Sequence, residues 1–385
     1  MPTFQNSLTS KLPQVGTTIF SHMSLLAAEE GAINLSQGFP NFSPDQKLIN
    51  GVSHYMQNGH NQYAPLAGVE PLRKVLSEKL HKLYGRSYDK DDEITVTTGA
   101  TQAIYTAISA LVKEEDEVII FTPAYDCYAP AVSVNGGKPI YVQLKAPEYK
   151  IDWSEVEKVF NRKTKMIIIN TPHNPTGTII GKEDLQKLEK LVRDSETIIL
   201  SDEVYEHIVF DNKKHYSPAI SEELSSRTLL VYSFGKTFHV TGWKMGFMAG
   251  PAELMAEFRK VHQYNVYCCN TPIQYALADY LAEPAHYEKL GEFYQQKRDA
   301  FLSGLKNSRF TYTPSAGTYF QLLNYSEITN TPDVEWVEKL TKQIKVAAIP
   351  VSVFYHQKLD EHMLRFCFAK DEDTLFEAGK RLSEL

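Results

Sequence analysis

Lys236 lies in the run Ser233-Phe234-Gly235-Lys236-Thr237, directly after the apolar run Leu229–Tyr232. A lysine amine acts as nucleophile or base only when unprotonated. Free in water, with a pKa of about 10.4, it is almost wholly charged at neutral pH, so burial or a neighbouring cation must lower it first. Lys244 is a candidate for that cation. Other apolar runs end in polar groups too. Ile94–Val96 leads into Thr97-Thr98-Gly99-Ala100-Thr101-Gln102, and Met166–Ile169 into Asn170-Thr171-Pro172-His173-Asn174-Pro175-Thr176-Gly177. Ile198–Leu200 ends in Ser201-Asp202-Glu203-Val204-Tyr205. Singly, each has an ordinary explanation: a strand-to-helix turn at Gly99, a turn dipeptide at Asn174-Pro175, a helix cap at Asp202, a solvated lysine at Lys236. Phe234-Gly235-Lys236-Thr237 also matches the end of a phosphate-binding P-loop, but that motif requires glycine where this chain has Leu230.

For such groups to meet, the strands that carry them must end along one edge of a sheet. Strands are expected at Ile94–Val96, Glu117–Phe121, Ile140–Val142, Met166–Asn170, Ile198–Leu200, Leu229–Tyr232 and Phe247–Ala249. Several are unbroken β-branched or apolar runs, as strands covered on both faces require. Between many of them lie stretches with apolar residues at helical spacing, among them Thr101–Val112, Ser154–Phe160 and Lys182–Val192. The alternation predicts an α/β domain with a mostly parallel sheet, whose ligands collect beyond the carboxyl ends of the strands. Ala252–Leu281 reads as largely helical. Beyond it come a helix over Tyr287–Leu305, strands near Tyr312 and at Tyr319–Leu323, a helix over Val334–Ile344, a strand at Leu364–Phe368 and a last helix, which suggest a smaller α+β domain.

The ordered combination resembles the class I/II aminotransferases, fold type I of the pyridoxal-phosphate enzymes, from about Lys11 to the C-terminus. It rests on Asn174-Pro175-Thr176-Gly177, Ser201–Tyr205, Ser233–Phe238 followed by Gly242-Trp243-Lys244-Met245-Gly246, and Leu364–Phe368. Within that family the chain is most similar to the branch of methionine and kynurenine (glutamine-type) aminotransferases. The narrower likeness is carried by Asn34–Pro40, Asn61-Gln62-Tyr63, Pro123–Tyr128 and Arg365–Phe368. The resemblance implies a large domain over 43–281 with a mostly parallel seven-stranded sheet. It also implies a smaller α+β domain over 282–385, joined by part of an N-terminal arm over 1–42.

By the same resemblance, Lys236 would carry pyridoxal 5'-phosphate as a Schiff base and then move the proton of the substrate's α-carbon. Asp202 would keep the pyridine nitrogen protonated, Asn174 and Tyr205 would bind the ring's phenolate oxygen, and Tyr125 would stack on the ring. Gly99, Ala100, Thr101 and Gln102 would offer a helix start to the phosphate, helped by Ser233 and Lys244. Most of the family has arginine where this chain has Lys244, so a point charge replaces a forked contact; lysine also occurs there in the most similar branch. Tyr63 would reach the phosphate of a neighbouring subunit, making a homodimer with its active sites at the subunit interface. Arg365, assisted by the Gly38 backbone, would grip the substrate carboxylate. Phe20, Tyr63, Tyr125 and Tyr267 would line the side-chain pocket.

No second arginine for a distal carboxylate is identifiable, so the expected donor is uncharged: methionine, an aromatic amino acid, kynurenine or glutamine, with a 2-oxo acid as acceptor. A β-lyase of cysteine-conjugate or cystathionine type on the same scaffold is the alternative. A regulator on this scaffold would need an added DNA-binding domain, for which a resemblance starting near Lys11 leaves no expected room. The charge of -7 opposes nucleic acid and anionic membranes as partners. Residues 1–30 lack a signal-peptide pattern, and no apolar run approaches a membrane span, so a cytoplasmic location is expected. The 4 cysteines suggest free thiols, and 12 scattered histidines without HExxH or CxxC spacing give no reason to expect a metal.

Overall fold

In the computed structural model, which describes residues 7–13, 15–16 and 18–385, Met166, Ile167, Ile168 and Ile169 are all buried. Ile167 and Ile169 face one core, shared with Phe320 and Leu322, whereas Met166 and Ile168 face a second, shared with Ala103 and Ile104. A strand buried on both faces gains roughly 1.5–3 kcal/mol from each such side chain, and its alternate residues belong to different layers.

Seven strands form the large sheet: β1 (Ile94–Thr97), β2 (Glu117–Thr122), β3 (Lys138–Gln143), β4 (Thr164–Asn170), β5 (Ile198–Asp202), β6 (Thr228–Ser233) and β7 (Gly246–Ala249). Their order is β1-β7-β6-β5-β4-β2-β3, parallel except for β7, which runs antiparallel to both neighbours. The mostly parallel seven-stranded sheet expected from the apolar runs is present. Register aligns Asn170, Asp202 and Val231 across β4, β5 and β6, so the carboxyl ends of these strands share one edge.

A smaller antiparallel sheet is formed by β8 (Phe320–Asn324), β9 (Ile349–Pro350) and β10 (Met363–Cys367), with β10 in the middle. Two elements of this part differ from those expected. The strand expected near Tyr312 is a single bridge from Thr311 to Asn324, and the helix expected over Tyr287–Leu305 is broken into Ala285–Glu288 and Leu290–Gly304. Two short pairings lay below the reach of periodicity: Ile33–Asn34 runs parallel to Val346–Ala347, and Ile349–Pro350 pairs with Leu364 and Arg365. Residues 252–281 form two helices, Ala252–Asn265 and Thr271–Leu281. The second is capped by the Asn270 side chain, which accepts from the Ile273 N–H at 3.1 Å. The expected N-terminal arm begins outside the described residues. No helix among the described residues is long and apolar enough to cross a membrane.

Gly246, at the start of β7, lets the site edge close. A Cβ there would stand 2.5 Å from the Tyr232 carbonyl oxygen and 3.2 Å from the Gly99 backbone. Only glycine allows the turn before Lys236 and the helix start at Gly99 to come this near each other.

Candidate active site

At the carboxyl ends of β1, β4, β5 and β6 lies a cavity of about 260 Å³. Lys236, Asp202, Tyr205, Asn174, Tyr125 and Arg365 line it, as do Gly99, Ala100, Thr101, Ser233 and Lys244. Phe20 and Gly38 close it from the N-terminal segment.

Lys236 follows β6 in the short helix Phe234–Thr237. Its Nζ donates to the Tyr319 hydroxyl at 2.8 Å and to the Gly38 carbonyl at 3.3 Å. Burial lowers the ammonium from the ordinary lysine range to about 8; Arg365 and Lys244 add to that, while Cys367 and Asp202 oppose it. The amine is therefore far more available as a base near neutral pH than an exposed lysine would be.

Asp202 ends β5 and is 4% exposed. Its Oδ2 accepts from the Tyr128 hydroxyl at 2.5 Å, and its Oδ1 from the Val204 N–H at 3.3 Å. Burial nevertheless raises its carboxyl to about 6. It makes no ion pair among the described residues, so a cation placed against it from the cavity would offset a large desolvation cost.

Arg365, in β10, is 2% exposed. Its Nη1 donates to Asn174 Oδ1 at 2.8 Å and its Nη2 to the Ser36 carbonyl at 3.2 Å, while Nε finds no partner among the described residues. The guanidinium lies 3.9 Å from the Phe320 ring centre and 5.0 Å from that of Phe354. Burial lowers it to about 10, which leaves it charged at neutral pH. Asn174 is itself fixed from β4, because Asn170 Oδ1 accepts its backbone N–H at 2.8 Å. Tyr205 packs edge to face on Tyr319.

The helix Gly99–Leu111 points its N-terminus at the cavity, and its N-cap residue Thr98 makes no side-chain cap. Its first N–H groups are thus left for a ligand. Gly99 has φ +75°, and Lys244 Nζ lies 3.6 Å from where a Gly99 Cβ would be. An amine beside a free helix start suits a phosphate dianion.

Three residues named from the sequence do not line this cavity. The Gln102 side chain turns back to accept from the Thr98 N–H at 3.0 Å, so it shapes the helix start from behind. Tyr63 is 84% exposed and Tyr267 46%, and their rings meet edge to face at the surface. Tyr128 and Tyr319, to which the sequence assigns no role, both touch the central groups. Tyr128 lay inside the Pro123–Tyr128 motif. Tyr319 had no signal, since a tyrosine in a strand pattern reads as core.

A buried lysine with a lowered pKa, a buried acid facing it, an anion-binding helix start and a buried arginine define a pyridoxal-phosphate site on a fold type I scaffold. The family model for aminotransferase class I and II matches residues 30–382, and the chain belongs to that family. It is a pyridoxal-phosphate-dependent aminotransferase. It is 48% identical to the methionine aminotransferase of Escherichia coli over 98% of each chain. A solved structure from Escherichia coli, reported with a methionine aminotransferase function, superposes with a TM-score of 0.97 at 47% identity, over 99% of this chain and 100% of that one. The N-succinyldiaminopimelate aminotransferase structure from Mycobacterium tuberculosis gives 0.94 at 35%, covering 98% and 100%. Human kynurenine–oxoglutarate transaminase 1 is 33% identical over 93% of each chain. The residues present fit the cofactor: among the described residues, Asp202 has only neutral hydrogen-bond donors, the helix start at Gly99 has no side-chain cap, and Arg365 Nε has no acceptor.

Proposed function

We propose that the amino donor is an uncharged amino acid with an apolar or aromatic side chain, such as methionine, phenylalanine, tyrosine or kynurenine, and that a 2-oxo acid accepts the amino group. The observation that carries this reading is the lining of the cavity. Arg365 is its one arginine among the described residues, and Phe20, Tyr125 and Phe320 line the same cavity. Asp126 adds a carboxyl to the same wall, which opposes a second carboxylate on the donor. The match to methionine aminotransferase supports the same choice.

When bound, the cofactor supplies the electron-withdrawing ring that makes the α-hydrogen acidic. Asp202 holds a proton at the ring nitrogen. Gly99, Ala100, Thr101, Ser233 and Lys244 hold the phosphate, with Gln102 bracing the helix start, while Asn174 and Tyr205 orient the ring and Tyr125 covers its face. Arg365 binds the donor carboxylate through the edge that Asn174 and Ser36 leave free, and so aims the α-hydrogen at Lys236. Lys236 Nζ takes that proton and delivers it again; its lowered pKa supports the assignment.

The working unit in this reading is a homodimer, in which Tyr63 and Tyr267 complete the partner's site; their exposure in the single chain supports it. The division into 1–42, 43–281 and 282–385 goes with it, and the pairing of Ile33–Asn34 with Val346–Ala347 supports joining the end of the first segment to the smaller part. Cytoplasmic residence belongs to the same reading and is supported by the match to a bacterial methionine aminotransferase.

A panel of amino acids mixed with the loaded enzyme tests the donor class, by following in single turnover the loss of absorbance of the lysine-bound cofactor. Methionine and the aromatic amino acids are expected to react fastest. Aspartate or glutamate outrunning them would overturn the reading.

A further inference from the structure

The hydroxyl of Tyr319 stands between two groups of the site. It donates its only proton to the Gly38 carbonyl oxygen at 2.5 Å, and it lies 2.8 Å from Lys236 Nζ. A hydroxyl whose proton is committed has only lone pairs left to offer, so towards Lys236 it is an acceptor. The ring cannot swing away: Tyr319 is fully buried, Tyr205 and Phe320 pack on it edge to face, and Tyr294 lies against it at 5.6 Å. Thr318, just before it, has φ +66° and fixes the approach of β8.

The geometry points to Tyr319 as a positioning residue for Lys236, one that accepts a hydrogen bond from the free ε-amine and holds it on the Gly38 side of the cavity. This inference rests on the reading of Lys236 as the proton carrier. No proton passes through Tyr319. When Nζ takes the α-proton it becomes an ammonium, and an oxygen that can only accept stabilises that form over the neutral amine until the proton is delivered. The bond also ties the amine to the backbone at Gly38, so the two are held in one fixed relation.

The charged and titratable groups facing Lys236 are Asp202 from the end of β5, Lys244 ahead of β7, Arg365 and Cys367 from β10, and Tyr205 and Tyr319. Replacing Tyr319 by phenylalanine leaves all the others in place. Losing a partner that favours the charged form lowers the pKa of the amine further.

The test uses the full-length chain stripped of cofactor, reductively methylated with formaldehyde and cyanoborohydride across a pH series, with Lys236 labelling read by peptide mass spectrometry. Wild-type labelling is expected to reach half its maximal rate near about 8. In Tyr319→Phe that midpoint is expected to fall by roughly one unit. In the loaded variant the single-turnover rate with methionine is expected to drop roughly tenfold, with little change in donor affinity. Tyr294→Phe, which removes the neighbouring hydroxyl bonded to His239, controls for packing and should leave the midpoint in place. An unmoved midpoint in Tyr319→Phe, or an equal shift in Tyr294→Phe, overturns the role of Tyr319. If wild-type Lys236 labels no more readily than exposed lysines, the reading of Lys236 fails and takes this inference with it.

Discussion

Asp202 and Lys236 are each buried at a cost to their charged forms, and the same cost shifts their pKa values in opposite directions. Burial raises the acid towards its neutral form and lowers the amine towards its neutral form, so both are poised to change state when a partner arrives. Tyr128 and the Val204 N–H hold part of the Asp202 charge. They cannot replace a cation, because a neutral donor satisfies a lone pair without neutralising a charge. Taking one partner from a buried ion pair costs on the order of 3–5 kcal/mol. Asp202→Ala is therefore expected to slow turnover with methionine by about a hundred- to several-thousand-fold at saturating cofactor. Near-wild-type turnover in that variant would remove Asp202 from the mechanism.

At the scale of elements, the site depends on β7 running antiparallel between β1 and β6. That insertion brings the turn before Lys236 beside the helix start after β1, and Gly246 is where they meet. An added methyl would press on the Tyr232 carbonyl and the Gly99 backbone, neither of which can rotate away as a side chain could. Gly246→Ala is expected to destabilise the cofactor-free chain by roughly 1–3 kcal/mol in urea unfolding and to weaken pyridoxal phosphate binding with it. Unchanged stability and affinity would show that the two segments have slack.

For the whole molecule, the exposed pair Tyr63 and Tyr267 makes a claim about assembly. In a two-fold dimer each site would draw Lys236 from one subunit and Tyr63 from the other. Co-expressed Lys236→Ala and Tyr63→Ala chains, each weak alone at limiting cofactor, should then form mixed dimers with one intact site. Equal mixing is expected to restore roughly a quarter of wild-type activity. No recovery above the two separate variants would place Tyr63 in its own subunit's site or in none.

Residue order by itself determined the strands of the large sheet, because β-branched runs such as Met166–Ile169 are stable only when covered on both faces. It also determined the family, because Asn174, Asp202, Tyr205, Lys236 and Arg365 stand in motifs whose ordered combination resembles that family, although each alone has an ordinary explanation. The short pairings at Ile33–Asn34 and Ile349–Pro350 were not legible, since two residues have no period to read. Nor was the way Gln102 turns back on its own helix. Only the tertiary structure decided which tyrosines matter. Tyr128 and Tyr319 differ from other buried tyrosines of the chain in where their hydroxyls end up, one on Asp202 and the other between Gly38 and Lys236. Those partners lie 74 and 83 residues from them along the chain for the two central groups, and 281 for Gly38. Separations that long are set by the packing of sheets, which no local pattern encodes.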